Sequence, residues 1–265
     1  MPGTGKEATN YSDMKKWKIL AVCALMCGCS SAVSETEADG STAQPSDYAC
    51  RVINYYDYSK PVPESAPADD AYYADSFFGG DSRMGGLYLY GTEKYGEIYY
   101  TTSLNLFLID SMTVNDYPDE TMLTLLEKTD KKHIYLMMGI NEIRQKSFDA
   151  WADAYQELID TLKQDHPDAD IYLIATYHPR EISGLDDDEL DVQLEKVNTK
   201  IRELAENNLI YYIDLDPGIT DETGLMRTDY TWDGLHMTPE GARAVEAYIK
   251  KHVYRRSEYV KEVCE

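Results

Sequence analysis

From residue 71 onward the chain alternates two kinds of apolar pattern. Runs at 75–78, 97–101, 133–138, 171–175 and 209–214 are short and rich in aliphatic and aromatic residues, which predicts strands. Between them, apolar residues recur at helical spacing. Over 148–164 they are Trp151, Ala154, Tyr155, Leu158 and Leu162; over 188–206 they are Leu190, Leu194, Val197, Ile201 and Leu204. Strands alternating with helices predict an α/β domain, a doubly wound parallel sheet of about five strands in a three-layer α/β/α sandwich. In such sheets the chemistry collects beyond the carboxyl ends of the strands.

The pattern ahead of residue 71 differs. A basic start, Lys15-Lys16-Trp17-Lys18, runs into a short apolar stretch over 19–26, the layout of a secretory signal, with Met14 as its natural start and 1–13 as an upstream extension. The stretch is too short to span a bilayer, which needs about 20 residues. Met26-Cys27-Gly28-Cys29 resembles the bacterial lipoprotein box and would make Cys29 the lipidated residue; ordinary secretion with cleavage near Ala32 is the alternative. Residues 30–47, rich in Ser, Thr, Ala, Glu and Asp, read as a tether. Residues 51–58 suit a strand or an extended arm, and Pro61, Pro63 and Pro67 keep the next stretch irregular. The division expected is 1–29 extension and signal, 30–70 linker and arm, and 71–265 the main domain. The address implied is extracytoplasmic, lipid-anchored or secreted. Cys50 and Cys264 are then left either to pair or to stay free thiols.

Composition sharpens this. A formal net charge of −23 argues against nucleic acid and against anionic membrane surfaces, so membrane contact is expected only through a lipid anchor. The 23 tyrosines against 4 phenylalanines are either strand residues with a wet hydroxyl or rings exposed to stack on sugars.

Placed on the predicted sheet, the strand ends carry a pattern. The first leads into Gly79-Gly80-Asp81-Ser82-Arg83, where the glycines are expected to take positive φ and turn the chain, leaving Ser82 as helix N-cap or nucleophile. The second leads to Thr102-Ser103-Leu104-Asn105 and the third to Gly139-Ile140-Asn141-Glu142. The fourth leads to His178-Pro179, and the fifth through a loop to Asp233-Gly234-Leu235-His236. A serine hydroxyl needs a base, histidine serves near neutral pH, and the histidine needs an acceptor on its other nitrogen. Asp233, three residues ahead of His236, suits that role. Asn141 could donate to a developing oxyanion beside N–H groups near Ser82 and Ser103. Thr238-Pro239 starts a helix that anchors the last loop. His178 either lines the pocket or shapes a loop. No ligand spacing in the sequence supports a metal.

The set Gly80-Asp81-Ser82, Gly139-x-Asn141 and Asp233-x-x-His236 resembles the SGNH (GDSL-like) hydrolases over roughly 71–253. The resemblance implies a flavodoxin-like sheet and ester hydrolysis through an acyl-enzyme without a cofactor. Ser82 would be nucleophile, His236 base, Asp233 its orienting partner and Asn141 an oxyanion donor. Three positions depart from the family pattern: Ser103 where a glycine N–H is usual, Glu142 where aspartate is common, and Arg83 where leucine follows the nucleophile. Arg83 would either favour an anionic substrate or lie solvated. The function expected is an extracytoplasmic serine esterase removing acetyl or short acyl groups from a small ester or an acylated carbohydrate. A non-catalytic glycan-binding module on the same scaffold, or an O-acyltransferase using the same residues, is the alternative.

Overall fold

The computed structural model describes residues 50–92, 96–143, 148–182 and 184–264. Cys50–Asn54 (β1) and Asp70–Ala74 (α1) come first, then Ser76–Gly80 (β2), Ser82–Tyr90 (α2) and Glu97–Tyr100 (β3). An antiparallel pair follows, Thr113–Val114 (β4) and Tyr117–Thr121 (β5), then Met122–Lys128 (α3), His133–Met137 (β6), Phe148–Asp165 (α4) and Asp170–Ile174 (β7). Asp187–Asn208 (α5), Tyr211–Ile213 (β8), Asp216–Ile219 (α6), Pro239–Lys251 (α7), Arg256–Tyr259 (α8) and Val260–Cys264 (β9) complete the chain. The five apolar runs of the sequence become one parallel sheet ordered β3-β2-β6-β7-β8, the three-layer α/β/α arrangement expected. The chain leaves β2 first toward β3 and later returns to β6 on its other side. The sheet therefore has its topological switch point there, where open α/β sheets place their sites.

Side chains alternate across each strand and divide the core in two. Phe77, Ile134, Leu136, Ile171, Leu173 and Tyr212 face one layer with Leu126, Trp151, Leu158, Leu194 and Ile201. Phe78, Tyr135, Met137, Tyr172, Ile174 and Tyr211 face the other with Met84, Leu87, Val245 and Ile249. On this second face the register sets Phe78 beside Tyr135, Tyr135 beside Tyr172, and Tyr172 beside Tyr211. Their rings follow one another at 4.6, 4.3 and 4.9 Å between centroids, and Tyr254 continues the row at 4.5 Å. The Tyr72 and Tyr135 hydroxyls share a hydrogen bond, and Tyr72 also donates to Tyr172. Tyr135, Tyr172, Tyr211 and Tyr254 are buried in this row, so they do not meet a sugar.

The proline-bearing stretch after β1 is irregular, as expected, and lies along the sheet edge. Val62 N–H donates to Tyr212 O at 2.8 Å, and Ser65 and Ala68 N–H donate to the last carbonyls of α7. β1 pairs antiparallel with β9, setting Cys50 opposite Cys264, and the two form a disulfide. The signal, Cys29 and the tether lie outside the described residues. No helix among the described residues is long and apolar enough to cross a membrane.

Candidate active site

Ser82 stands where β2 gives way to α2. Gly79 and Gly80 do not turn the chain there: they remain in the strand, and neither has positive φ. Glycine is required instead by close packing, since a Cβ at Gly80 would collide with the Met137 carbonyl oxygen of the neighbouring strand. Nor is Ser82 the cap. Asp81 caps α2, its carboxylate accepting from Arg83 N–H at 3.0 Å, which frees the Ser82 hydroxyl.

Arg83 corrects both readings of its side chain, because it is neither solvated nor open to a substrate. It is fully buried, and its Nε and Nη2 donate to the two Asp81 oxygens at 2.9 and 2.8 Å. Burial works against its charge, but Asp81 outweighs burial and lifts its pKa above the ordinary value. The guanidinium lies 5.5 Å from the centre of the Tyr177 ring, and the Tyr177 hydroxyl donates to Leu235 O at 2.7 Å. The turn under Ser82 is thus tied to the loop that carries the histidine.

That loop is held at both ends. The Thr231 hydroxyl and Trp232 N–H both donate to His236 O, and Thr238 caps α7 at Gly241 N–H with Pro239 in the first helical turn. Within it, the Asp233 Oδ1 accepts from His236 N–H at 2.7 Å and Leu235 N–H at 3.0 Å. Asp233 Oδ2 lies 2.7 Å from His236 Nδ1, and a carboxylate can only accept, so Nδ1 carries the proton. The other nitrogen, Nε2, is left to accept from the Ser82 hydroxyl at 3.0 Å. Partial burial pushes the Asp233 carboxyl up, but the bonds from the His236 ring, its N–H and Leu235 N–H together hold it below the ordinary value. It therefore stays an acceptor. Such a relay can draw the proton from Ser82 as it attacks a carbonyl.

The remaining donors stand across the switch point. After β6 the chain turns through Gly139 at φ 123°, which glycine alone adopts without strain. The turn brings Asn141 Nδ2 within 2.7 Å of Leu104 O. One amide hydrogen fixes the group, leaving the second to donate. Ser103 adopts φ 61°, a left-handed conformation that suits the glycine common at this position. Glu142 is almost fully buried, and its Oε1 accepts from Leu106 N–H at 2.7 Å.

His178 is tied to a second aspartate. Its N–H and Nδ1 both meet Asp216, at 2.9 and 2.5 Å, and its carbonyl accepts from Met226 N–H. The Asp216 hydrogen bond raises its pKa. It shapes the loop after β7 and pairs with a different aspartate from His236. Sequence reading also missed Tyr177 and the exposed Trp232 beside Asp233. Trp232 was open to notice, as a large apolar residue adjoining a predicted site residue. Tyr177 was not, since its role rests on a contact 58 residues away.

A parallel α/β/α sheet with a Ser–His–Asp relay at its switch point defines a serine hydrolase of doubly wound architecture. The family model of GDSL-like lipases/acylhydrolases matches residues 100–244, more than half of the chain, and the protein belongs to that family of SGNH ester hydrolases. The match contains Ser103, Asn141, Asp233 and His236; Ser82 lies ahead of it and joins them through the geometry. The chain is similar to a Streptococcus pneumoniae protein provisionally described as a platelet activating factor: 20% identity, 68% of this chain and 84% of that one, TM-score 0.53. It is also similar to a GDSL-like lipase from Bacteroides thetaiotaomicron VPI-5482: 16% identity, 70% and 89%, TM-score 0.51. At these identities the likeness is one of fold. No protein with a curated description matches the sequence.

Proposed function

We propose that the protein hydrolyses acetyl or other short acyl esters carried on a glycan, outside the cytoplasm, through an acyl-enzyme on Ser82. The observation that carries this is the relay from Ser82 Oγ through the His236 ring to Asp233, at 3.0 and 2.7 Å. In this reading His236 Nε2 takes the Ser82 proton while Oγ attacks the ester carbonyl. The oxyanion accepts from Asn141 Nδ2 and from the N–H groups of Ser82 and Ser103. His236 then returns the proton to the departing alcohol; water, deprotonated by the same nitrogen, attacks the acyl carbon, and the proton passes to Ser82 Oγ as the acid leaves. Asp233 steadies the imidazolium formed at each step.

Two observations support the finer points. A disulfide between Cys50 and Cys264 suits an oxidising compartment, in line with the signal-like start and the lipoprotein-type Cys29. Trp232, 67% exposed and adjacent to Asp233, offers a ring face on which a sugar could stack. The test is hydrolysis of p-nitrophenyl acetate and acetate release from acetylated xylan by the wild type, Ser82→Ala and His236→Ala. A loss of about 10⁴–10⁶ in kcat in both variants is expected. Full activity in either would end the assignment, and aryl-ester turnover without acetate release from any acetylated glycan would remove the glycan.

A further inference from the structure

Two of the three departures from the family pattern, Arg83 and Glu142, are both buried and within electrostatic reach of each other. Asp81 and Arg83 are 0% exposed and Glu142 is 2% exposed. Asp81 and Arg83 flank the nucleophile in sequence. Glu142 follows Asn141, and the two adjacent residues grip one segment of the opposite loop: Asn141 Nδ2 donates to Leu104 O, and Glu142 Oε1 accepts from Leu106 N–H, both at 2.7 Å. That segment follows directly on Ser103. Leu104 and Leu106 are buried, so the segment is anchored from both sides.

We infer that Glu142 is a positioning residue, a buried carboxyl that fixes the Ser103 loop at Leu106 while facing the Asp81–Arg83 pair beneath the nucleophile. The inference rests on the reading of Ser103 and Asn141 as oxyanion donors. Glu142 holds the loop that carries one donor and is covalently joined to the other, so its loss moves both. The groups facing Glu142 are Asp81 and Arg83 from the nucleophile turn, the Leu106 N–H from the loop, and the Tyr155 phenol from α4. Burial and the Asp81 charge raise the Glu142 carboxyl, against the Leu106 bond and Arg83, to about 7. The folded protein thus favours the neutral acid, and the stability this contributes is present at low pH. It is lost as pH rises from the ordinary glutamate value, about 4.3, through the raised one.

Glu142→Gln separates geometry from charge, because an amide oxygen still accepts from Leu106 N–H but cannot ionise; Glu142→Ala removes both. With p-nitrophenyl acetate, Glu142→Ala should lower kcat about 10- to 100-fold with KM within about threefold, the mark of misplaced groups that act in the transition state. Glu142→Gln should keep most of kcat. In melting experiments, which need no activity, the wild type should lose on the order of 5 °C relative to Glu142→Gln between pH 5 and pH 8. A wild-type kcat in Glu142→Ala, beside an inactive Ser82→Ala, would overturn the positioning role and leave the hydrolase intact. A pH-independent melting difference would overturn the buried ionisation. A wild type that neither turns over esters nor labels at Ser82 with a fluorophosphonate would overturn the inference together with the site on which it rests.

Discussion

Arg83 shows how a single side chain beside a nucleophile can act without touching substrate. Its two bonds to Asp81 neutralise the carboxylate that caps α2, and its face lies against Tyr177, which holds Leu235 in the histidine loop. Removing the cation leaves Asp81 as a buried charge answered only by the N–H of residue 83, a change that costs about 3–5 kcal/mol in other buried pairs. Arg83→Met is therefore expected to lower the unfolding free energy read from urea denaturation by that order, and Arg83→Lys to recover little, since an ammonium cannot span both carboxylate oxygens. A midpoint unchanged in Arg83→Met would show that the pair contributes no net stability. Asp233 differs: its side chain is half exposed, so its service to His236 lies in orientation and in the choice of ring proton.

Among elements, the turn that closes β6 does the most for the site. Gly139 sits at φ 123°, and a Cβ there would press on Val197 at 3.0 Å and Thr176 Oγ1 at 3.2 Å. Gly139→Ala should destabilise the fold by about 1–3 kcal/mol through backbone strain and contact. It should also lower kcat, because Asn141 is two residues on; denaturation and steady-state kinetics on the same sample read both effects. Periodicity alone located α4 and α5, whose apolar stripes run 18 and 22 residues and leave little room for error. It set the end of β2 too early because Gly79 and Gly80 look like a turn in sequence, whereas close strand packing demands them. The β4–β5 pair and β9 escaped notice: one strand is two residues long, and the other is an exposed stretch that pairs only with the far end of the chain. Ser82, Asp233 and His236 were legible because each stands in a compact motif. The Glu142–Leu106 bond was not, as nothing in the sequence links two residues 36 positions apart.

For the whole molecule, the unusual tyrosine content is absorbed largely by packing. The row from Phe78 through Tyr135, Tyr172 and Tyr211 to Tyr254 crosses the sheet and ends against the arm, where Tyr56 meets Tyr211 and Tyr254 edge-on. One consequence is optical. Burial raises the phenols of Tyr56, Tyr135, Tyr172 and Tyr211 above the ordinary value, so the fold resists their ionisation. Each favours the folded state below about pH 10, and that contribution is lost as alkali rises above it. In a jump to strong alkali, solvent-exposed tyrosines should turn to phenolate at once. The row should follow only as near-ultraviolet dichroism disappears, the two signals sharing one rate constant. The protein thus carries its own indicator dye, sealed into the centre of the fold and released only when the fold opens.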